Sequence, residues 1–208
     1  MDTNFVITIG RQLGSGGRQI GNILADRMNV SFYDKELIAL ASKQSGLSKD
    51  LFEKADEKTK FSLHGIFSGI KSSIHDEGFT NNYLSNESLF KIQSDVIREL
   101  AEKQSCIFVG RCADYILRDH PCALNVFISA DIKDRIERVA GYHQLSEEKA
   151  FDLIEKMDKK RADYYNYYSN KHWGMASSYH LCINSSILGV EAAADLIQQF
   201  MEDKKKIE

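Results

Sequence analysis

The sequence predicts an α/β protein, a sheet of buried, parallel-type strands with helices on both faces. Three observations carry this. Short apolar runs recur along the chain, with the near-continuous character of strands buried on both faces. Segments with apolar residues at helical spacing separate them, and that alternation is how helices pack on a parallel sheet. The composition, 43% hydrophobic and 27% charged over 208 residues, excludes disorder, collagen and coiled coil.

The first strand is Phe5-Val6-Ile7-Thr8-Ile9, stopping at Gly10. The glycine-rich stretch Gly14-Ser15-Gly16-Gly17 follows, then a helix over 18–28 with Ile20, Ile23, Leu24 and Met28 on one face. Val30 to Tyr33 is a short strand ending at Asp34, and a helix carrying Leu37, Ile38 and Leu40 ends near Gly46. Residues 48–87 are charge-dense, then rich in Ser and Gly, then turn-rich, and read as an excursion from the core. A helix over 87–103 has Leu89, Ile92, Val96, Ile97 and Leu100 on one face. Cys106 to Val109 is the third strand, followed by Gly110-Arg111 and a short helix to Arg118. Pro121 marks the entrance to the strand Leu124–Ile128. Helices over 132–141 and 146–168 come next, the second opened by Ser146-Glu147-Glu148-Lys149 as a capping sequence with its acid displaced by one place. His180 to Asn184 is the last strand and 189–201 the last helix, with Lys204, Lys205 and Lys206 as a frayed end.

The net charge of −3 and pI near 6.1 exclude a generally basic surface for polymeric nucleic acid. No run approaches the ~20 apolar residues of a membrane helix. The opening residues lack the basic segment of a signal peptide, so the expectation is a cytoplasmic protein with no membrane partner. The four cysteines form no CxxC pair and no zinc spacing. They read as small buried hydrophobes.

Chemistry points first to the join from Ile7 through Arg18. A buried strand, a glycine-rich turn and a helix start place inward main-chain N–H groups and the positive helix end at one spot. That suits an anion, so Gly14, Ser15, Gly16, Gly17, Arg18 and Gln19 are candidate phosphate-binding residues; a turn that only lets strand and helix pack is the alternative. The loop departs from GxxxxGK[ST]. Gly17 holds the lysine place and Arg18 the Ser/Thr place. Arg18 is placed to supply the charge, and Gln19 to orient a magnesium-bound water. Arg111, at the end of the third strand, suits an anionic substrate group. Asp34 has the same location, with helix N-cap as its alternative. Asp158 and Arg161 share a helix face beside Lys156, Lys159 and Lys160. Together with Arg135 and Arg138 they form a basic set able to close over phosphates, or else a solvated charged face. Tyr164, Tyr165, Tyr167 and Tyr168, followed by His172 and Trp173, either pack the returning segment on the core or stack on a base.

In order along the chain, Ile7-Thr8-Ile9, Gly14 to Gly21, Phe32 to Ile38, Val109 to Asp114, Asp158 to Tyr165 and Asn184-Ser185-Ser186 resemble the cytidylate-kinase-like family of P-loop proteins. The resemblance spans nearly the whole chain. It implies a single kinase-like domain over 1–208 with the P-loop nucleoside triphosphate hydrolase fold and a five-stranded parallel sheet in the order 2-3-1-4-5. It also implies a monophosphate-binding insertion at 48–87 and a lid at 155–175. The family's Gly-Arg-Asp reads Gly110-Arg111-Cys112, and its Asp-Ser-Gly reads Asp34-Lys35-Glu36. The lid arginine four residues before Asp158 is Ile154, with Lys156 nearby. Carried over, Arg18, Asp158 and Arg161 are catalytic candidates, and Asp34, Arg111 and Arg135 are candidate substrate ligands. The implied reaction moves the γ-phosphoryl of ATP, with Mg2+, to a nucleoside monophosphate, CMP or dCMP by default. A kinase of another small acceptor and a silent nucleotide-binding regulator stand as alternatives.

Overall fold

The computed structural model describes residues 4–35 and 83–207. In chain order these form β1 (Val6–Arg11), α1 (Gly17–Met28), β2 (Ser31–Tyr33), α2 (Tyr83–Lys103), β3 (Cys106–Val109), α3 (Ala113–Ile116), β4 (Ala123–Ser129), α4 (Ile132–His143), α5 (Glu147–Ser169), a 3-10 turn (Ala176–Ser178), β5 (Leu181–Asn184) and α6 (Ser185–Ile207). The strands make one five-stranded sheet, β2-β3-β1-β4-β5. Every pairing is parallel, the expected fold and strand order.

β1 is central, and its residues are apolar on both faces for that reason. Ile7 and Ile9 pack with Ile20 and Leu24 of α1 and Ile197 and Met201 of α6. Val6 faces the other way, toward Phe108 of β3, Ile97 and Ala101 of α2 and Ile116 of α3. Val6, Ile7, Ile9 and Phe108 are at most 1% exposed. Burial on that scale contributes roughly 1.5–3 kcal/mol per side chain. Thr8 is the polar exception, and its hydroxyl donates to Asn125 Oδ1 on the neighbouring strand (2.8 Å), so its burial leaves no unpaired group.

Several boundaries differ from the sequence expectation. β1 does not stop at Gly10: Gly10 and Arg11 continue the ladder opposite Phe127 and Ile128, because β4 supplies partners that a propensity reading cannot see. The last helical segment, Ser185–Ile207, is broken at Gly189, whose φ of 76° and ψ of 167° are not helical; a short helical turn from Ser185 therefore precedes the helix expected from Gly189. Cys182 is exposed, unlike buried Cys106 and Cys112, since β5 is a sheet edge. The Ser146 hydroxyl caps α5 by accepting from the Lys149 N–H (3.4 Å), so the hydroxyl half of the capping box is present. The expected helix at 37–46 and most of the 48–87 excursion lie outside the described residues. Among the described residues no helix is long and apolar enough to cross a membrane.

Candidate phosphate-binding loop and arginine cavity

The turn from β1 into α1 is built by its carbonyls. Gly14 and Gly16 take left-handed φ of 78° and 75°, which costs any other L-residue strain. The carbonyls of Leu13, Gly14 and Ser15 then accept from side chains: Arg135 Nε donates to Leu13 (2.8 Å), Arg138 Nη1 to Gly14 (3.0 Å) and the Ser185 hydroxyl to Ser15 (2.7 Å). The Leu13 N–H donates to Asp158 Oδ1 (2.8 Å). The Ser15 hydroxyl is buried and donates back to the Gln12 carbonyl (2.9 Å). In contrast, no described residue accepts from the N–H groups of Gly14, Gly16, Gly17 or Gln19. Main-chain carbonyls are committed and main-chain donors are left at a helix N-terminus, which is the electrostatic polarity of an anion cradle.

The residues predicted from sequence fall into three groups. Asp158 is a hub: besides Leu13 it bonds the Arg135 guanidinium and lies 3.7 Å from Arg161 Nη1. Arg135 is 6% exposed, engaged by Asp158 and Leu13; its guanidinium ties α4 to the loop and to α5. Arg18 pairs with Asp34 through Nε and Nη2 (2.9 and 2.6 Å), its own side chain 64% exposed and that of Asp34 only 4%.

Arg111 and Arg161 form the third group, and the structure adds a residue that the sequence reading passed over. Arg11, at the end of β1, lines with them a cavity of about 60 Å3 at the carboxyl ends of β1 and β3. A Cβ added to Gly17 would lie 2.6 Å from Arg11 Cβ and 3.1 Å from its Cγ. The Arg11 stem therefore occupies the space through which a lysine at position 17 would leave the main chain. Its guanidinium reaches Gly110, whose added Cβ would lie 2.1 Å from Nη1. A glycine in the lysine place and an arginine at the strand end are thus one steric unit. The signal was in the sequence as Arg11 itself, a cation ending an apolar strand beside a glycine-rich turn.

Arg111 reaches this cavity through an unusual turn. Gly110, Arg111 and Cys112 all have left-handed φ, at 83°, 59° and 55°. Two consecutive non-glycine residues in this region store backbone strain, which is found where surrounding structure fixes a functional geometry. The Arg111 guanidinium lies 5.6 Å from the Tyr164 ring centroid. Burial pushes the Tyr164 hydroxyl up to about 12 against the lowering effect of Arg111. Burial likewise lowers the Arg161 guanidinium from its ordinary value, with Asp158 opposing. Asp114, also lining the cavity, is raised by burial despite accepting from the Tyr165 hydroxyl (2.7 Å). The tyrosine run divides: Tyr165 is in the core beside Cys112, Phe127 and Tyr179, and Tyr164 and Tyr168 flank it with Phe90.

Asp34 and Asp158, beside the loop, are each engaged by arginine. Among the described residues no three His, Cys, Asp or Glu side chains cluster as a metal cage.

Comparison with known proteins places this geometry. The chain is similar to an uncharacterized protein from Eubacterium ventriosum ATCC 27560, with 28% identity over 96% of this chain and 99% of that one, and a TM-score of 0.72. It is similar in fold to shikimate kinase from Bacteroides thetaiotaomicron (15% identity, 95% and 98% covered, TM-score 0.52). A gluconokinase from Sinorhizobium meliloti 1021 shares that fold (10% identity, 98% and 97% covered, TM-score 0.51). A comparison with curated proteins finds no match. Residues 6–187 match the cytidylate kinase-like family, and with the 2-3-1-4-5 sheet and its loop already in place, the chain belongs to that family and has the P-loop kinase fold.

Proposed function

We propose that the protein is a phosphotransferase that moves the γ-phosphoryl of ATP, presented as its magnesium complex, to a nucleoside monophosphate, CMP or dCMP by default. The observation that carries this is the loop: carbonyls tied back by Arg135, Arg138 and Ser185, and the N–H groups of Gly14, Gly16, Gly17 and Gln19 without a described acceptor. The loop amides hold the donor phosphates. Arg11, filling the space of the missing lysine, supplies the cation beside them, with Arg18 at the helix start. Arg111 grips the acceptor phosphate, whose oxygen attacks the γ-phosphorus in line as the bond to the β-phosphate oxygen breaks. Arg161 stands between the two anions, where charge spreads over the migrating phosphoryl. Asp158 and Arg135 are positioning residues that hold loop and α5 in register. Asp34 acts through Arg18, by orienting it. The acceptor insertion at 48–87 and the lid at 155–175 belong to the same reading.

A second reading, transfer to another small acceptor, is favoured by Arg135, whose commitment to the loop removes one of the two arginines expected on the acceptor phosphate. Titration of ATP by calorimetry, followed by ADP release with a panel of acceptors and magnesium omitted as the control, tests both. Turnover with CMP or dCMP supports the first reading, and turnover only with another acceptor supports the second. Binding of ATP without turnover on any acceptor refutes both and identifies a silent regulator.

A further inference from the structure

Beside the arginine cavity lies a second cleft, between α2 and α5, with a volume of about 500 Å3, within the range of small-molecule sites. One wall is aromatic. Phe90 and Tyr168 stack with ring centroids 3.9 Å apart and planes 9° apart, and Tyr164 meets Phe90 edge-on at 6.2 Å. Lys160 and Arg111 also line it, and Arg111 is shared with the arginine cavity. A ligand can therefore hold a phosphate at Arg111 while a flat, apolar body lies against the rings.

Gln93 of α2 lines the same cleft and is 3% exposed, yet no described residue gives its Oε1 a hydrogen bond. Its neighbour Ser94, equally buried, is satisfied within the helix by donating to the Phe90 carbonyl (2.7 Å). A buried amide oxygen without a partner carries an uncompensated desolvation cost. The cost is offset if a ligand brings the donor.

We propose that Gln93 is a specificity-determining residue that reads the acceptor: its Oε1 accepts a hydrogen bond from an amino or ring N–H of a nucleobase seated against the Phe90–Tyr168 wall, the attached phosphate being held by Arg111. This rests on the nucleoside monophosphate reading above. Acceptors are thereby sorted by whether their planar body carries a donor at the depth of Gln93, and a phosphorylated sugar without a base is indifferent to it.

The test is calorimetric titration of the full-length protein with each of the four ribonucleoside 5′-monophosphates and with ribose 5-phosphate, repeated on Gln93→Met and Gln93→Leu. The tightest monophosphate weakens roughly tenfold to a hundredfold in both variants, because its N–H is left unpaired on binding. Ribose 5-phosphate changes less than about twofold, and Tm is unchanged or higher, since an apolar side chain replaces an orphaned polar one. Equal monophosphate affinity in wild type and variants overturns the proposal, as does equal weakening of monophosphate and ribose 5-phosphate. A fall in Tm in both variants overturns it too, by giving Gln93 a structural partner. Failure of the wild-type protein to bind any monophosphate overturns the acceptor reading itself and this proposal with it. That result is told apart from the others because it needs no variant.

Discussion

Position 17 offers the sharpest test of how the loop compensates for its missing lysine. Gly17→Lys places a Cβ 2.6 Å from Arg11 Cβ and 3.1 Å from Cγ. Arg11 Cβ is fixed to the main chain and cannot swing away as the rest of the side chain can, so the substitution overpacks the turn by about 1–3 kcal/mol. Arg11→Ala does not relieve it, because alanine keeps the offending Cβ. Arg11→Gly does, at a cost of roughly 0.5–1 kcal/mol for a glycine in a strand. On the proposed function, Arg11→Gly alone also removes the cation that serves the donor phosphates, and turnover falls by about 10²–10³, or ~2.7–4 kcal/mol, the scale of losing one preorganised electrostatic contact. The double variant Arg11→Gly/Gly17→Lys regains most of that turnover, since it restores an ammonium from the loop in the vacated space. Urea denaturation gives the stability coupling, expected to be about 1–3 kcal/mol and favourable, and ADP release gives the catalytic one. Stabilities that add to within about 0.5 kcal/mol, or a double variant no more active than Arg11→Gly, refute the steric exchange between positions 11 and 17.

Arg111→Gly relieves one left-handed residue and raises stability by roughly 0.5–1 kcal/mol, seen as a higher urea midpoint at constant m, while the acceptor KM rises at least about tenfold for the loss of one charged contact. Asp158→Ala strips the buried Arg135 of its carboxylate and costs about 3–5 kcal/mol, read by chemical denaturation. The Asp114 carboxyl is raised by burial from its ordinary 3.8, so the folded state binds the proton more tightly than the unfolded. Its contribution is fully present below 3.8 and is lost as pH rises through the folded value. Asp114→Asn flattens that decline in a series of Tm against pH, and a slope identical to wild type would contradict the assignment.

Much of this architecture was legible because each buried strand is a nearly unbroken apolar run and each glycine of the loop sits where a strand meets a helix. The strand order came through family resemblance rather than periodicity, since pattern alone does not fix which strands are neighbours. What stayed hidden depends on contacts across the sheet. Arg11 acquires its meaning only when β3 brings Gly110 beside it. Arg135 looked like a ligand for an external phosphate, and only folding shows its guanidinium held by Leu13 and Asp158. Gln93 sits on an unremarkable helix face, and its unpaired oxygen is a property of three-dimensional packing. The tyrosine run was ambiguous because one helix turn exposes Tyr167 and buries Tyr165.

Helix α5 is held at two places along its length: Asp158 Oδ1 accepts from the Leu13 N–H, and the Tyr165 hydroxyl donates to buried Asp114. The two anchors are about 10 Å apart at 1.5 Å per residue, so this stretch of helix cannot pivot about either one while both bonds hold. Arg161 lies between them and donates to the Arg11 carbonyl. The guanidinium of the middle turn is thereby carried on a braced segment, and freedom to move falls to the helix beyond Tyr165.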